Sequence, residues 1–171
     1  MTDTNFINKT LERLKPDELY HLAAQSFVAY SFTNPTFTYD VNIGGTLNIV
    51  NAVKDYSNNT RFYFAGTFEL FGKVTKSPQN EETPFYPASP YPISKLGGFW
   101  TVKVYREAYG LFMSNGILFS HESEVRGLEF ATRKISLGVA RIYNGSNEPI
   151  ELGNLNAVKD WGYAKDYVEG M

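Results

Sequence analysis

The sequence predicts an α/β protein whose parallel sheet is covered by helices on both faces. Two observations carry that expectation. Short apolar runs alternate with longer stretches of helical spacing, and strand, helix, strand, helix in that order marks a parallel sheet with crossover helices. The length, 171 residues, suits one domain of ordinary size.

The elements follow in order. Residues 5–14 form a helix that stops before Pro16. Residues 18–24, Glu-Leu-Tyr-His-Leu-Ala-Ala, form a short apolar strand. Pro35 opens a long helix to about Asp55, with Val41, Leu47, Val50 and Val53 at helical spacings. Asn58 and Asn59 mark a turn, and residues 61–65, Arg-Phe-Tyr-Phe-Ala, read as an aromatic strand. Gly72, Pro78, Pro84, Pro87 and Pro90 make residues 71–90 a loop. A helix over 91–109 is closed by Gly110. A strand over 114–119, a polar loop over 120–127 and a helix over 130–143 come next, the last ending at Asn144-Gly145. Residues 149–153 read as a strand and 162–171 as the start of a final helix. Right-handed crossovers then set the topology. In such sheets ligands bind beyond the carboxyl ends of the strands, which selects the loops 23–26, 66–72, 119–127 and 153–160.

Composition removes several function classes. Lys and Arg number 16 against 18 Asp and Glu, a net charge of -2, so nothing pulls the chain toward nucleic acid or an anionic membrane. The absence of cysteine excludes disulfides, thiolate metal sites and a cysteine nucleophile. With His21 and His121 the only histidines, a multi-histidine metal site is not expected. The first residues are polar and acidic, unlike a signal peptide, and no apolar run spans a bilayer. A soluble cytoplasmic protein is expected. The aromatic share of 16% favours a substantial core or a pocket that stacks planar ligands.

The sharpest local pattern is Tyr91-Pro-Ile-Ser-Lys95. On a helix, residues four apart share a face. A lysine beside a phenol favours the phenolate and lowers its pKa, so the pair can act as a general base toward a hydroxyl; read alone, it can equally be a surface Tyr and Lys. Thr67 and Glu69 follow a strand at the predicted ligand edge. They offer a hydroxyl and a carboxylate for proton transfer, or simply a Thr-capped turn. Leu22, Ala23, Ala24, Gln25 and Ser26 end another strand with small residues, which lets a ligand approach the backbone or packs a tight turn. His121 and Arg126 flank Glu122 in a polar loop. They can hold a phosphate or a carboxamide, or lie in solvent. No Ser-His-Asp set is evident.

Taken together, these segments resemble the extended short-chain dehydrogenase/reductases, and within them the GDP-mannose 4,6-dehydratase family. The resemblance rests on Leu-Ala-Ala-Gln-Ser at 22–26, Thr-Phe-Glu-Leu at 67–70, Ser-Pro-Tyr at 89–91, Asn-Gly-Ile-Leu-Phe at 115–119 and His-Glu-Ser at 121–123. Thr-Arg-Lys-Ile at 132–135, Leu-Gly-Asn at 152–154 and the stretch from Asp160 to Met171 complete it. Tyr-x-x-x-Lys is generic to the superfamily; the segments 115–123 and 160–171 are far more specific. The resemblance implies a Rossmann-like, doubly wound sheet. It implies conversion of GDP-mannose to GDP-4-keto-6-deoxymannose by NADP-mediated internal hydride transfer and loss of water. Tyr91 is then the base at the 4-hydroxyl and Lys95 its pKa partner and a cofactor contact. Glu69 acts on the 5-position proton and the leaving 6-hydroxyl, and Thr67 binds the reacting hydroxyl. Leu22, Ala23, Ala24, Gln25, Ser26, Phe37, His121 and Arg126 match cofactor-contact positions, and Ser120, Lys134 and Asn154 match substrate-contact positions. No metal is implied.

The departures are specific. No Gly-x-Gly-x-x-Gly turn is present, although the family opens with one that holds the pyrophosphate. The sheet is therefore expected to lack its first βαβ units, and residues 1–171 to form a partial dinucleotide-binding domain with the start of the substrate-binding part near 150–171. Phe68, Phe27, Phe37 and Ser120 stand where the family has serine, histidine, tyrosine and asparagine, and Glu124-Val125 replaces a Pro-Arg pair. Weakened cofactor binding and a homo-oligomer, or pairing through an exposed sheet edge, are the expected consequences. The competing readings are a non-catalytic remnant that packs on a full-length subunit, and another nucleotide-sugar enzyme such as an epimerase.

Overall fold

The computed structural model describes residues 1–171 and divides into two units, Met1–Leu118 and Phe119–Met171. In the first unit, helix α1 (Thr4–Leu14) begins where the Asp3 carboxylate accepts a hydrogen bond from the Phe6 N–H at 2.9 Å. It ends where Lys15 turns left-handed at φ 42°, one residue before Pro16. Strands β1 (Glu18–His21), β2 (Arg61–Ala65) and β3 (Met113–Gly116) form a parallel sheet in the order β1-β2-β3. The register sets Leu19 beside Phe62, His21 beside Phe64, and Phe64 beside Asn115. These residues therefore share one face, because side chains alternate along a strand.

That face carries the core. Phe62, Phe64 and Met113 pack with Leu11 of α1, with Ile49, Val50, Ala52 and Val53 of α4 (Gly45–Tyr56), and with Val102 of α5 (Pro90–Tyr109). The opposite face presents Tyr20 and Tyr63, whose rings lie 6.1 Å apart. The helices of this unit thus cover one face of the sheet, and the doubly wound arrangement is incomplete.

Between β1 and α4 the expected long helix exists in pieces. A short helix α2 (Val28–Thr33), which the sequence did not announce, precedes α3 (Pro35–Tyr39), which has proline in its first turn. A π-helical turn over Asp40–Gly44 then leads into α4, with the Gly45 N–H donating to the Asp40 carbonyl. The Thr46 hydroxyl donates to the Asn42 carbonyl at 2.6 Å. Helix α5 starts after Ser89 with Pro90 and stops at Gly110, whose φ of 65° suits glycine.

The second unit pairs β4 (Ser120–Glu122) with β5 (Trp161–Tyr163) in parallel and adds α6 (Ala131–Tyr143) and α7 (Ala164–Gly170). Here the expectations need correction. Residues 120–127 are not all loop, since β4 opens them. The strand expected over 149–153 is coil. The last helix is preceded by a strand that three residues were too few to reveal. In the first unit, β1 stops at His21 rather than Ala24, and beyond it the Asn42 side chain bonds the backbone of Gln25. No helix is long and apolar enough to cross a membrane.

Candidate active site

Because the three strands run parallel, the segments that follow His21, Ala65 and Gly116 leave one edge of the sheet. The chain leaves β2 through Gly66, whose N–H donates to the Gly116 carbonyl at 2.7 Å. A Cβ at residue 66 would overlap that carbonyl, so the approach requires glycine. Thr67 follows, buried, and its Oγ1 accepts from the Glu69 N–H at 3.3 Å to start a 3₁₀ turn over Phe68–Leu70.

Tyr91 lies in the first turn of α5, also buried. Its N–H donates to Ser31 Oγ at 3.2 Å, and its carbonyl accepts from Ser94 Oγ at 2.6 Å. Its phenol lies within reach of the Thr67 side chain. Burial, reinforced by the nearby Glu69 carboxylate, pushes the phenol up to about 12, against a downward pull from Thr67. This corrects the expectation that a lysine one turn away lowers the phenol: desolvation and a neighbouring negative charge win. Lys95 is 3% exposed, and burial pushes its ammonium down to about 8. Its Nζ stands 4.6 Å from the centre of the Phe64 ring.

A buried polar network holds these groups to the loop after β1. Asn42, presented by the π turn, donates from Nδ2 to the Gln25 carbonyl at 3.0 Å and to Ser94 Oγ at 2.8 Å. Its Oδ1 accepts from the Gln25 N–H at 2.8 Å. The Gln25 side chain donates to Thr38 Oγ1 at 3.0 Å and accepts from the Phe27 N–H at 2.7 Å. One side chain therefore ties the 22–26 loop to the helix that carries Tyr91 and Lys95. His21, 3% exposed, is 3.0 Å from Thr46 Oγ1 through Nε2. Since the Thr46 proton goes to the Asn42 carbonyl, His21 is the donor, which fixes its tautomer. Burial and the Lys95 charge push His21 down to about 4, so it is neutral. Leu22, Ala23 and Ser26 are exposed, Ala24 and Gln25 are half-buried, and Phe37 is exposed with its ring edge-on to Tyr30 at 6.1 Å.

The remaining candidates lie in the second unit. Ser120 opens β4. His121 Nδ1 is 2.8 Å from the Phe119 carbonyl, and its ring packs 5.2 Å from that of Tyr167. Arg126 is ion-paired with Glu122 at 3.2 Å, and its guanidinium sits 3.5 Å over the Phe130 ring. Thr132 donates to the same Glu122 at 2.6 Å. Lys134 is exposed on α6. Asn154 is exposed in coil, its side chain accepting from the Asn156 N–H at 3.0 Å. The structure thus brings Thr67, Glu69, Tyr91 and Lys95 together at the sheet edge, with Gln25 tied to them through Asn42 and Ser94. Within the second unit, Ser120, His121 and Arg126 lie on or just after β4, Lys134 lies on α6 and Asn154 in coil.

A family model described as GDP-mannose 4,6 dehydratase matches residues 1–171. The chain belongs to that family. The GDP-mannose 4,6 dehydratases of Homo sapiens and Drosophila melanogaster are 53% and 52% identical to it over 100% of the chain. The chain spans 46% and 44% of those proteins, about half the length of the curated relatives it matches. Among solved structures, RMD from Pseudomonas aeruginosa complexed with NADPH superposes with a TM-score of 0.90, at 24% identity, over 98% of the chain and 57% of that protein. UDP-glucose 4-epimerase from Thermus thermophilus, in complex with NAD, gives 0.83 at 25% identity, over 98% of this chain and 56% of that one. The fold is therefore the α/β, Rossmann-like one that the sequence implied.

The supporting residues of this dehydratase-family site escaped the sequence reading. Asn42, Thr46, Ser94 and Ser31 are polar side chains that composition assigns to surfaces, yet all four are buried. The one available signal was the Gly44-Gly45 pair, two residues after Asn42 in a helical stretch, a sequence that favours departure from regular α geometry. His21 belongs to this supporting set, bonded to Thr46 and buried.

Proposed function

We propose that the chain contributes the catalytic face of a GDP-mannose 4,6-dehydratase, a lyase that forms a 4-keto-6-deoxy nucleotide sugar. The observation that carries this reading is the triad of Tyr91 phenol, Thr67 hydroxyl and Glu69 carboxylate at one sheet edge, with the phenol within reach of Thr67 and raised by Glu69. The names of relatives at about half identity support it.

In this reading Tyr91 takes the proton of the sugar 4-hydroxyl, which Thr67 orients. Glu69 removes the 5-position proton and protonates the departing 6-hydroxyl, so water leaves and the carboxylate is restored. With a phenol near 12, only about 1 in 100,000 is ionised at pH 7. A neighbouring positive charge favours the phenolate, and Lys95, one turn along α5, is the chain's own source of it. A nicotinamide dinucleotide, NADP in this reading, supplies the hydride acceptor when bound. The clamped 22–26 loop, with exposed Ala23 and Ser26, and Lys95 fit its ribose and ring side; Phe37, His121 and Arg126 are further cofactor contacts, and Ser120, Lys134 and Asn154 contact the nucleotide sugar. The chain then forms a partial dinucleotide-binding domain, with the substrate-binding part starting near 150–171.

The test is purified chain with NADP and GDP-mannose, and in parallel with NAD, followed by detection of keto sugar. With cofactor supplied in excess to offset weakened binding, keto sugar from the parent chain supports the reading, and Glu69→Gln should lower its rate at least about a hundredfold. Equal product from Glu69→Gln removes that residue from the reaction. The free outer edges of β1 and β3 support a second reading, a partner that pairs with another subunit. A parent chain that makes no product yet co-elutes with a full-length dehydratase supports that one.

A further inference from the structure

We propose that the Phe64 ring is a seat for the Lys95 ammonium, a positioning device for the catalytic lysine, and that Gly98 is the residue that makes room for it. The inference rests on the reading of Lys95 as part of the site. Lys95 and Gly98 are three apart on α5 and so face the sheet together. A Cβ at residue 98 would stand 2.6 Å from Phe64 Cζ and 3.0 Å from Cε2, so the ring edge lies against bare backbone. Phe64 is 1% exposed, and the His21 ring packs 5.6 Å from its centre at 55°. The ring is therefore held on several sides and cannot turn away from the lysine without displacing its neighbours.

An ammonium buried to 3% exposure has lost most of its water, and a buried charge without a partner is unfavourable. The face of an aromatic ring carries negative quadrupole density, and a cation within about 6 Å of its centre is attracted to it. At 4.6 Å the Lys95 Nζ is within that range. The interaction keeps the lysine charged and fixes it over the end of β2, one helical turn from the Tyr91 phenol, before any ligand arrives. The neutral, Thr46-bonded His21 beside the ring adds no second charge. An aliphatic residue at position 64 could fill the core equally well but could not hold the ammonium.

The full chain labelled with ¹³C,¹⁵N-lysine gives the test by NMR titration of Lys95. In the parent protein the ε-methylene protons should be shifted upfield by the ring. Ordinary shifts there would overturn the proposal without any variant. In Phe64→Leu the upfield shift should vanish and the Lys95 midpoint should fall by about one pH unit. Because leucine changes the core, a second sample carries 3,5-difluorophenylalanine at position 64, which keeps the ring's shape and drains its face; its midpoint should fall by a fraction of that amount. Folded samples of both kinds with an unchanged midpoint refute the seat. The titration requires no turnover, so the keto-sugar assay tests the reaction and this one tests the seat.

Discussion

Replacing Lys95 with methionine should make the protein more stable at pH 7, even though it removes a residue assigned to the site. Burial brings the ammonium from its ordinary 10.5 to about 8, and a depression of about 2.5 units corresponds to about 3 kcal/mol of cost while the group is charged in both states. That shift is the net of burial and every favourable contact of the ammonium, so up to about 3 kcal/mol is left in favour of methionine. The sign follows from linkage. The folded pKa lies below the unfolded one, so the cost is full below about pH 8. It is relieved as pH rises toward 10.5, where the folded protein has released its proton and the unfolded chain still holds it. Urea melts of both proteins between about pH 7 and 9.5, below the titration of ordinary tyrosines, measure this. The parent should gain stability across that window and Lys95→Met should stay level, so the gap closes. A methionine variant less stable than the parent at pH 7, or a gap that does not change with pH, refutes the electrostatic account.

Two other perturbations follow from the same network. His21, depressed to about 4 from its ordinary 6.5, contributes stability that is complete above 6.5 and lost as pH falls toward 4, about 3 kcal/mol in all. Thermal melts should show that acid loss in the parent and a shallower one in His21→Gln; equal slopes count against it. Asn42→Ala removes three hydrogen bonds that tie Gln25 to Ser94, at about 1 kcal/mol each. A destabilisation of about 3 kcal/mol and faster amide exchange at Gln25 are expected in melts and exchange NMR, and unchanged exchange there would remove Asn42 from its role as clamp.

The sequence was most legible where one local signal dominates. Residues 61–65 are rich in aromatics and follow an Asn-Asn turn, as a strand does, and β2 occupies those five positions. Pro90 and Gly110 bracket α5 because proline favours a first helical turn and glycine a left-handed stop. Tyr91 and Lys95 were visible for the same reason, their spacing being a property of the helix alone. What stayed hidden depends on the rest of the fold. The pKa of Tyr91 is set by burial and by Glu69, neither of which spacing reveals. The three-residue strands β4 and β5 are too short to carry a period. Asn42 reads as an ordinary polar helix residue until the sheet brings Gln25 and Ser94 to it.

The π turn over Asp40–Gly44 holds one residue more than a regular helix needs. Excising a single amino acid from that stretch would restore a smooth α-helix, and on local propensity would look like an improvement. Every side chain on the upstream side would then swing by about 100° around the axis relative to α4. Asn42 would point elsewhere, and the loop that it pins would come free from the helix bearing the phenol. The length of this short stretch is thus as tightly determined as the identity of any side chain at the site, and engineered insertions or deletions belong in the exposed loop at 73–78 instead.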